Sequence, residues 1–416
     1  MMTQILRIKI CAVSFILSIS IFLFGSSATA FTQEKLERDA KLEKIASHAK
    51  GIEFLEKITF FGNMRFRWEV KNRDKSNSSS ASKINQDTER VRLRFRTGAN
   101  FHIDKELDMV FRISTGGVGS FNSGNQTLGS GLDKKDISLD QAYFSWSPNA
   151  WTIEGGKVKN QFMYSKIIFD SDLTFEGLTE VYKTNLGGNI IKLIGGQYFI
   201  EQNSRTTTTD SSNIMLWALQ GQLHSTTKIG KAKLALAYYA YDGLRGSALD
   251  NDNGYGTGQR NSMNSSYLLT DMRILDLMME LGTPIGSLYG KVFYEYATNT
   301  EENADVTAAN TIASDLDDAY QVGFKYGYEK IKKPGEWQGK FIYREIEQNA
   351  VLSAFNDSSF HEGGTNAKGI EAGLKYQIRN GVQASYTFLD TENERNAVGN
   401  LPYDVQIHQL DLKFIF

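Results

Sequence analysis

Over residues 90–101 the chain runs RVRLRFRTGANF, with Arg90, Arg92, Arg94, Arg96 and Asn100 on one side of an alternation and Val91, Leu93, Phe95, Ala99 and Phe101 on the other. A period of two belongs to an extended strand, whose successive side chains point to opposite faces. Four guanidinium groups in a row can face neither hydrocarbon nor a packed apolar core, because burying unpartnered charge is too costly. The opposite face is as continuously apolar as this one is charged. Both faces are satisfied at once in a sheet wetted on one side and greased on the other, the wall of a closed transmembrane β-barrel.

The same alternation starts at Ile58, where Phe60, Met64, Phe66, Trp68 and Val70 oppose Asn63, Arg65, Arg67 and Glu69. It ends over residues 404–416, where Leu410, Leu412, Phe414 and Phe416 oppose Gln409, Asp411 and Lys413. An apolar strand at the end of a sheet is an exposed edge unless something pairs with it, so this strand is expected to close onto the first. Its alternate hydrophobics and final Phe resemble the terminal signal of bacterial outer-membrane proteins. That resemblance implies that Leu410, Leu412, Phe414 and Phe416 are read by a barrel assembly machinery.

Between these ends, tight turns at 104–106, 148–149, 187–189, 226–228, 284–286, 333–335 and 380–381 alternate with long polar segments. The long ones cover 71–87, 116–136, 158–176, 203–213, 243–264, 299–317, 350–366 and 393–403. Such an alternation is that of an outer-membrane barrel with short periplasmic turns and long outer loops. Eight long loops imply about sixteen strands, each of the ~10-residue spanning length. Trp146, Trp151 and Trp337 flank two of the turns and are expected in an aromatic girdle on that side.

Only residues 10–24 form a long apolar run, preceded by Arg7 and Lys9 and followed by Ala28-Thr29-Ala30, the pattern of a secretory signal peptide cut after Ala30. The single cysteine, Cys11, lies inside it, so the exported chain is expected to carry no thiol and no disulfide. Loss of Arg7 and Lys9 takes the formal charge from −2 to −4, with no bias toward nucleic acid. Residues 31–57 are charged and helix-favouring and predict a short periplasmic lead-in helix. The barrel is expected over 58–416.

Catalytic chemistry has no localised signature. The five histidines, His48, His102, His224, His361 and His408, are scattered outside any HExxH or Cys/His arrangement, and there is no G-x-S-x-G elbow. Asp250, Asp252 and Gly254 lie in a sequence without the Gly and Glu that a calcium loop needs at its sixth and twelfth positions. No cofactor, metal or enzymatic activity is expected. The charged constellation is instead lumenal: Arg65, Arg67, Arg90, Arg92, Arg94, Arg96 and Arg112 on the first three strands, against Asp170, Asp172 and Glu176 in and after the third long loop. Across a narrow wet gap, opposed charges of this kind create a transverse field that favours polar solutes; the same groups could instead pair directly and hold the loop.

The ordered set RVRLRFRTGANFHIDKELDMVFRISTGG, NQTLG, KKDISLDQAYFSWSP, IEGGKVKNQF and FDSDLTFEGL, over residues 91–182, resembles a bacterial putative-porin family whose members begin with a helical lead-in. The resemblance implies a porin-like barrel and leaves the solute open. The third long loop follows the fifth strand, where general diffusion porins fold a loop into the channel, so passive diffusion of small hydrophilic solutes past an inward third loop is the expected function, with lipid and lipopolysaccharide as surroundings. A homotrimer is suggested by analogy with general porins. An anion- or phosphate-selective channel using the Arg ladder, and a structural or adhesive barrel, remain open alternatives at this stage.

Overall fold

In the computed structural model, residues 55–75, 87–117, 121–202, 213–247, 249, 261–264, 267–301, 316–394 and 403–416 are described. The chain divides into two units, Met1–Ile58 and Thr59–Phe416. The expected signal peptide, Cys11, His48 and all but the last residues of the expected lead-in helix lie outside the described residues.

The second unit is a closed antiparallel barrel of sixteen long strands with one short strand added. In chain order these are β1 (Ile58–Lys75), β2 (Thr88–His102), β3 (Leu107–Thr115), β4 (Ile137–Trp146), β5 (Trp151–Lys159), β6 (Thr174–Leu186), β7 (Asn189–Glu201) and β8 (Ile214–Thr227). The second half comprises β9 (Gly230–Asp242), β10 (Met272–Ile285), β11 (Leu288–Asn299), β12 (Asp318–Gly327), β13 (Trp337–Ile346), β14 (Ala367–Arg379), β15 (Val382–Asn393) and β16 (Tyr403–Ile415). Each strand pairs with its chain neighbours, and β16 returns to β1 in register from Asn63↔Ile415 to Lys75↔Tyr403. The seam ends on a reciprocal pair: Gly62 N–H donates to the Phe416 carbonyl at 2.9 Å, and Phe416 N–H donates to the Gly62 carbonyl at 3.1 Å. The barrel sheet is thereby closed on itself, without an open edge among its described strands. The added strand, Gln126–Thr127, was not expected; it covers Arg92–Leu93 where β3 is too short to continue the pairing.

The faces divide as the alternation requires. Phe60, Trp68, Phe111, Leu219, Phe341 and Leu410 are exposed on the outside, while Arg67, Glu69, Arg94, Gln220, Glu295 and Arg344 are buried on the inside. Trp146 and Trp151 are exposed beside the Pro148 turn, where Trp151 N–H donates to the Pro148 carbonyl at 3.1 Å, and the Trp151 ring packs on Tyr182 at 5.0 Å. The two-residue turn between β6 and β7 is Gly187-Gly188, with φ of +57° and +83°, the left-handed conformation a hairpin of this length demands.

Candidate functional site: the barrel interior

The alternation in β1 to β3 delivers seven arginines to one stretch of inner wall. Arg67 grips Asp411 of β16 with two bonds of 2.7 and 2.8 Å, and Arg65 donates to Asn125 at 2.5 Å. Arg90 pairs with Glu69 at 2.6 Å and Arg92 reaches the same carboxylate at 3.8 Å. Arg112 bonds Asp140 at 2.5 Å. Arg94 and Arg96 converge on Asp172 at 3.0 and 3.1 Å. Seven guanidinium groups meet four carboxylates, Glu69, Asp140, Asp172 and Asp411, so the wall keeps three surplus positive charges.

Asp172 belongs to the third long loop, residues 160–173, and the contact is direct. The charges expected to face each other across a wet gap are bonded at this point. Burial opposes the charge on Asp172, but Arg96, Arg94 and Arg65 override it and hold its carboxyl well below the usual range. Asp170 does not face the arginines. It accepts from Ser358 N–H and Oγ–H at 2.9 and 2.8 Å, and burial together with the Asp172 charge pushes its carboxyl up to about 6. Glu176 departs further from expectation: it sits outside the barrel, 62 % exposed and paired with Lys157 at 2.7 Å. The physical reason is parity, because Phe175 takes the inward position beside it and is buried.

The loop's other anchor is apolar. Phe162 and Phe169 lie edge-on to Tyr239 of β9 at 5.7 and 5.2 Å, Phe169 meets Phe175 at 5.1 Å, and Phe175 stacks on Tyr198 of β7 at 4.5 Å. Edge-to-face pairs of this kind add about 0.5–1.5 kcal/mol each beyond their buried area. Gln220 of β8 clasps Met163 through its backbone, donating to the carbonyl and accepting from the amide, both at 2.7 Å. The loop thus touches the inner faces of β2 on one side and of β7 to β9 on the other.

A second long loop, residues 347–366, also turns inward, which strand periodicity did not predict. Val351, Leu352, Ala354, Phe355 and Phe360 are buried there, and Arg344 of β13 lies over the Phe360 ring at 4.6 Å while bonding Asp357 at 2.9 Å. Lys166 of the third loop bonds the same Asp357 at 2.8 Å, and the Phe355 carbonyl accepts from Asp170 N–H at 2.6 Å. At its far end Glu362 pairs with Lys71 and Arg73 of β1. The available signal was composition: VLSAF is too apolar for a solvated outer loop. At the barrel rim, Asp317, Asp318 and Glu347 bring carboxylate oxygens within 4.8 Å of one another.

A closed sixteen-stranded barrel with an apolar outer face, a charged interior and inward loops is the architecture of an outer-membrane channel protein of the porin class. The chain belongs to the family described as "Putative porin", whose profile matches residues 30–273 and 268–416. Among solved structures it is similar to the outer membrane channel DcaP of Acinetobacter baumannii, at 12 % identity, 86 % coverage of this chain, 97 % of that one and a TM-score of 0.49. A triple mutant of the Rhodopseudomonas blastica porin is similar at 13 % identity, 86 % and 100 % coverage and a TM-score of 0.45. A loop L8 deletion mutant of Vibrio cholerae OmpT is similar at 11 % identity, 86 % and 99 % coverage and a TM-score of 0.44. No curated protein matches the sequence.

Proposed function

We propose that the protein is a diffusion porin that passes small hydrophilic solutes and ions, with residues 160–173 narrowing the channel beside the arginine wall. The observation that carries this reading is the span of that loop, bonded through Asp172 to β2 and packed through Phe162 and Phe169 on β9. Arg65, Arg67, Arg90, Arg92, Arg94, Arg96 and Arg112 line the passage, and Asp170 and Asp172 shape its rim. On this reading residues 1–30 are removed on export, 31–57 stay in the periplasm, and Leu410, Leu412, Phe414 and Phe416 serve recognition by the assembly machinery. Lipopolysaccharide surrounds the outer face, and a homotrimer is the proposed assembly.

Purified protein in a planar bilayer tests the reading. Stable open steps, together with uptake of small sugars into proteoliposomes, are expected; an intact barrel that carries neither would leave a structural or adhesive role instead.

A further inference from the structure

The interior carries a second basic surface that runs along β11 to β14 and reaches the arginine wall at β16, and it rests on residues that the motifs never singled out. Lys291 of β11, Lys325 of β12 and Lys340 of β13 are register partners in sequence, Lys291↔Lys325 and Lys325↔Lys340. All three occupy inward positions, since Glu295, Gln321 and Arg344 on the same parity are buried inside. Lys233 stands opposite Glu280 on one flank, while Lys375 of β14 and Lys413 of β16 continue the arc on the other, and Lys413 is the register partner of Arg65. Like charges placed directly opposite in a sheet are destabilising, so three in a row need a compensating reason.

Available carboxylates supply only part of it. Glu280 takes Lys291 at 2.7 Å and Lys233 at 3.1 Å, and Glu371 takes Lys340. Lys325, Lys375 and Lys413 form no ion pair with a carboxylate among the described residues. Six ammonium groups therefore face two carboxylates. The Lys325 ammonium is held at 5.3 Å over the Phe293 ring, which Lys291 also covers at 5.9 Å. Gly323 makes room for that ring, because a Cβ there would stand 2.2 Å from Phe293 Cζ. Gly373 does the same for the Lys340 stem, whose Cε would lie 2.6 Å from an added Cβ. Lys340 is thereby drawn aside to Glu371, leaving Lys325 and Lys375 on strands about 10 Å apart.

We propose that this lysine arc is a binding site for a small multivalent oxyanion, of which inorganic phosphate is the simplest, bridged between Lys325 and Lys375 with Lys340 and Lys413 beside it. Rings of Lys and Arg select anions in pores by replacing hydration with fixed positive charge. The arc and the arginine wall differ in readiness: five of the seven guanidinium groups hold a carboxylate within 3.1 Å, whereas three of the arc's six ammonium groups form no carboxylate ion pair among the described residues. The proposal rests on the channel reading for its transport consequence but not for the binding itself.

The test uses the full protein with Lys325→Gln and Lys375→Gln combined, folding being verified by heat-modifiable gel migration. In bilayers with chloride as carrier, added phosphate should reduce wild-type conductance, and the double variant should need about tenfold more phosphate for the same reduction. Its reversal potential in a salt gradient should also move toward cations. Equal phosphate sensitivity in a folded, conducting variant would overturn the site. If the wild type carries no current, the channel reading fails, and line broadening of phosphate in phosphorus NMR then decides the site alone: broadening lost in the variant upholds it, equal broadening overturns it. If a folded double variant cannot be made, Lys325→Gln alone in the same measurements decides by the same criteria.

Discussion

Asp172 carries two guanidinium groups at once, so its removal strands both. Breaking a buried pair by deleting one partner costs about 3–5 kcal/mol, because the remaining charge has lost its compensation. Asp172→Ala is expected to shift reversal potentials toward anions and to broaden current noise as the loop loosens; Arg94→Gln with Arg96→Gln should shift them toward cations with similar noise. Both shifts should shrink at 1 M salt, where the Debye length is about 3 Å. Asp170 adds a pH dependence. Its folded value of about 6 lies above the ordinary 3.8, so its contribution to seating the loop is fully present below about 4 and is lost as pH rises through about 6. Current noise should therefore grow between about pH 4 and 6 in the wild type, and the growth should be smaller in Asp170→Asn, which cannot ionise.

At the scale of elements, the two inward loops are each held by buried side chains and by ion pairs. Residues 160–173 are seated mainly by rings, and Phe169→Ala should cost about 3–5 kcal/mol by leaving a cavity against Tyr239 and Phe175. A larger single-channel conductance and faster sugar uptake are the expected readouts. Residues 347–366 add charge contacts to a buried apolar segment. Burial works against the Glu362 carboxylate, but its bonds to Arg73 and the charge of Lys71 hold it down at about 2. Its contribution is present above the ordinary 4.5 and lost as pH falls through about 2. His361 beside it is pushed down to about 4 by burial, so its share is present above 6.5 and lost as pH falls through about 4. Hydrogen-exchange protection factors over 347–366, corrected for the intrinsic pH dependence of amide exchange, should accordingly fall on acidification from pH 7 to 4, and Glu362→Gln should lower them already at pH 7.

For the whole molecule, closure is the property to test. Deleting Phe416 removes both backbone bonds to Gly62 and an exposed ring from the outer face. The folded, heat-modifiable fraction should fall while secretion continues, and normal levels of folded barrel would remove Phe416 from the assembly signal. Orientation is checked with tags: one inserted after Asn253, in a sequence-expected outer loop, should be reachable from outside intact cells, and one at the Asn380 turn should not. Labelling of both sites alike would reverse or abolish the proposed topology.

Strand period, strand count, the closing pair and the inward arginines of β1 to β3 were legible in the sequence, because a side-chain period of two fixes the face of every residue once one charged strand must avoid lipid. Glu176 shows the limit of that rule, since loop residues obey no period and the phase restarted at Phe175. The course of 347–366 was hidden for the same reason: its apolar residues are covered by contacts with residues distant in sequence, as the rings of Phe121 and Tyr241 meet Phe355. Lys325 and Lys340 were visible as single residues but not as neighbours. Only the register between strands sets them side by side, and register belongs to the closed barrel and not to any one strand.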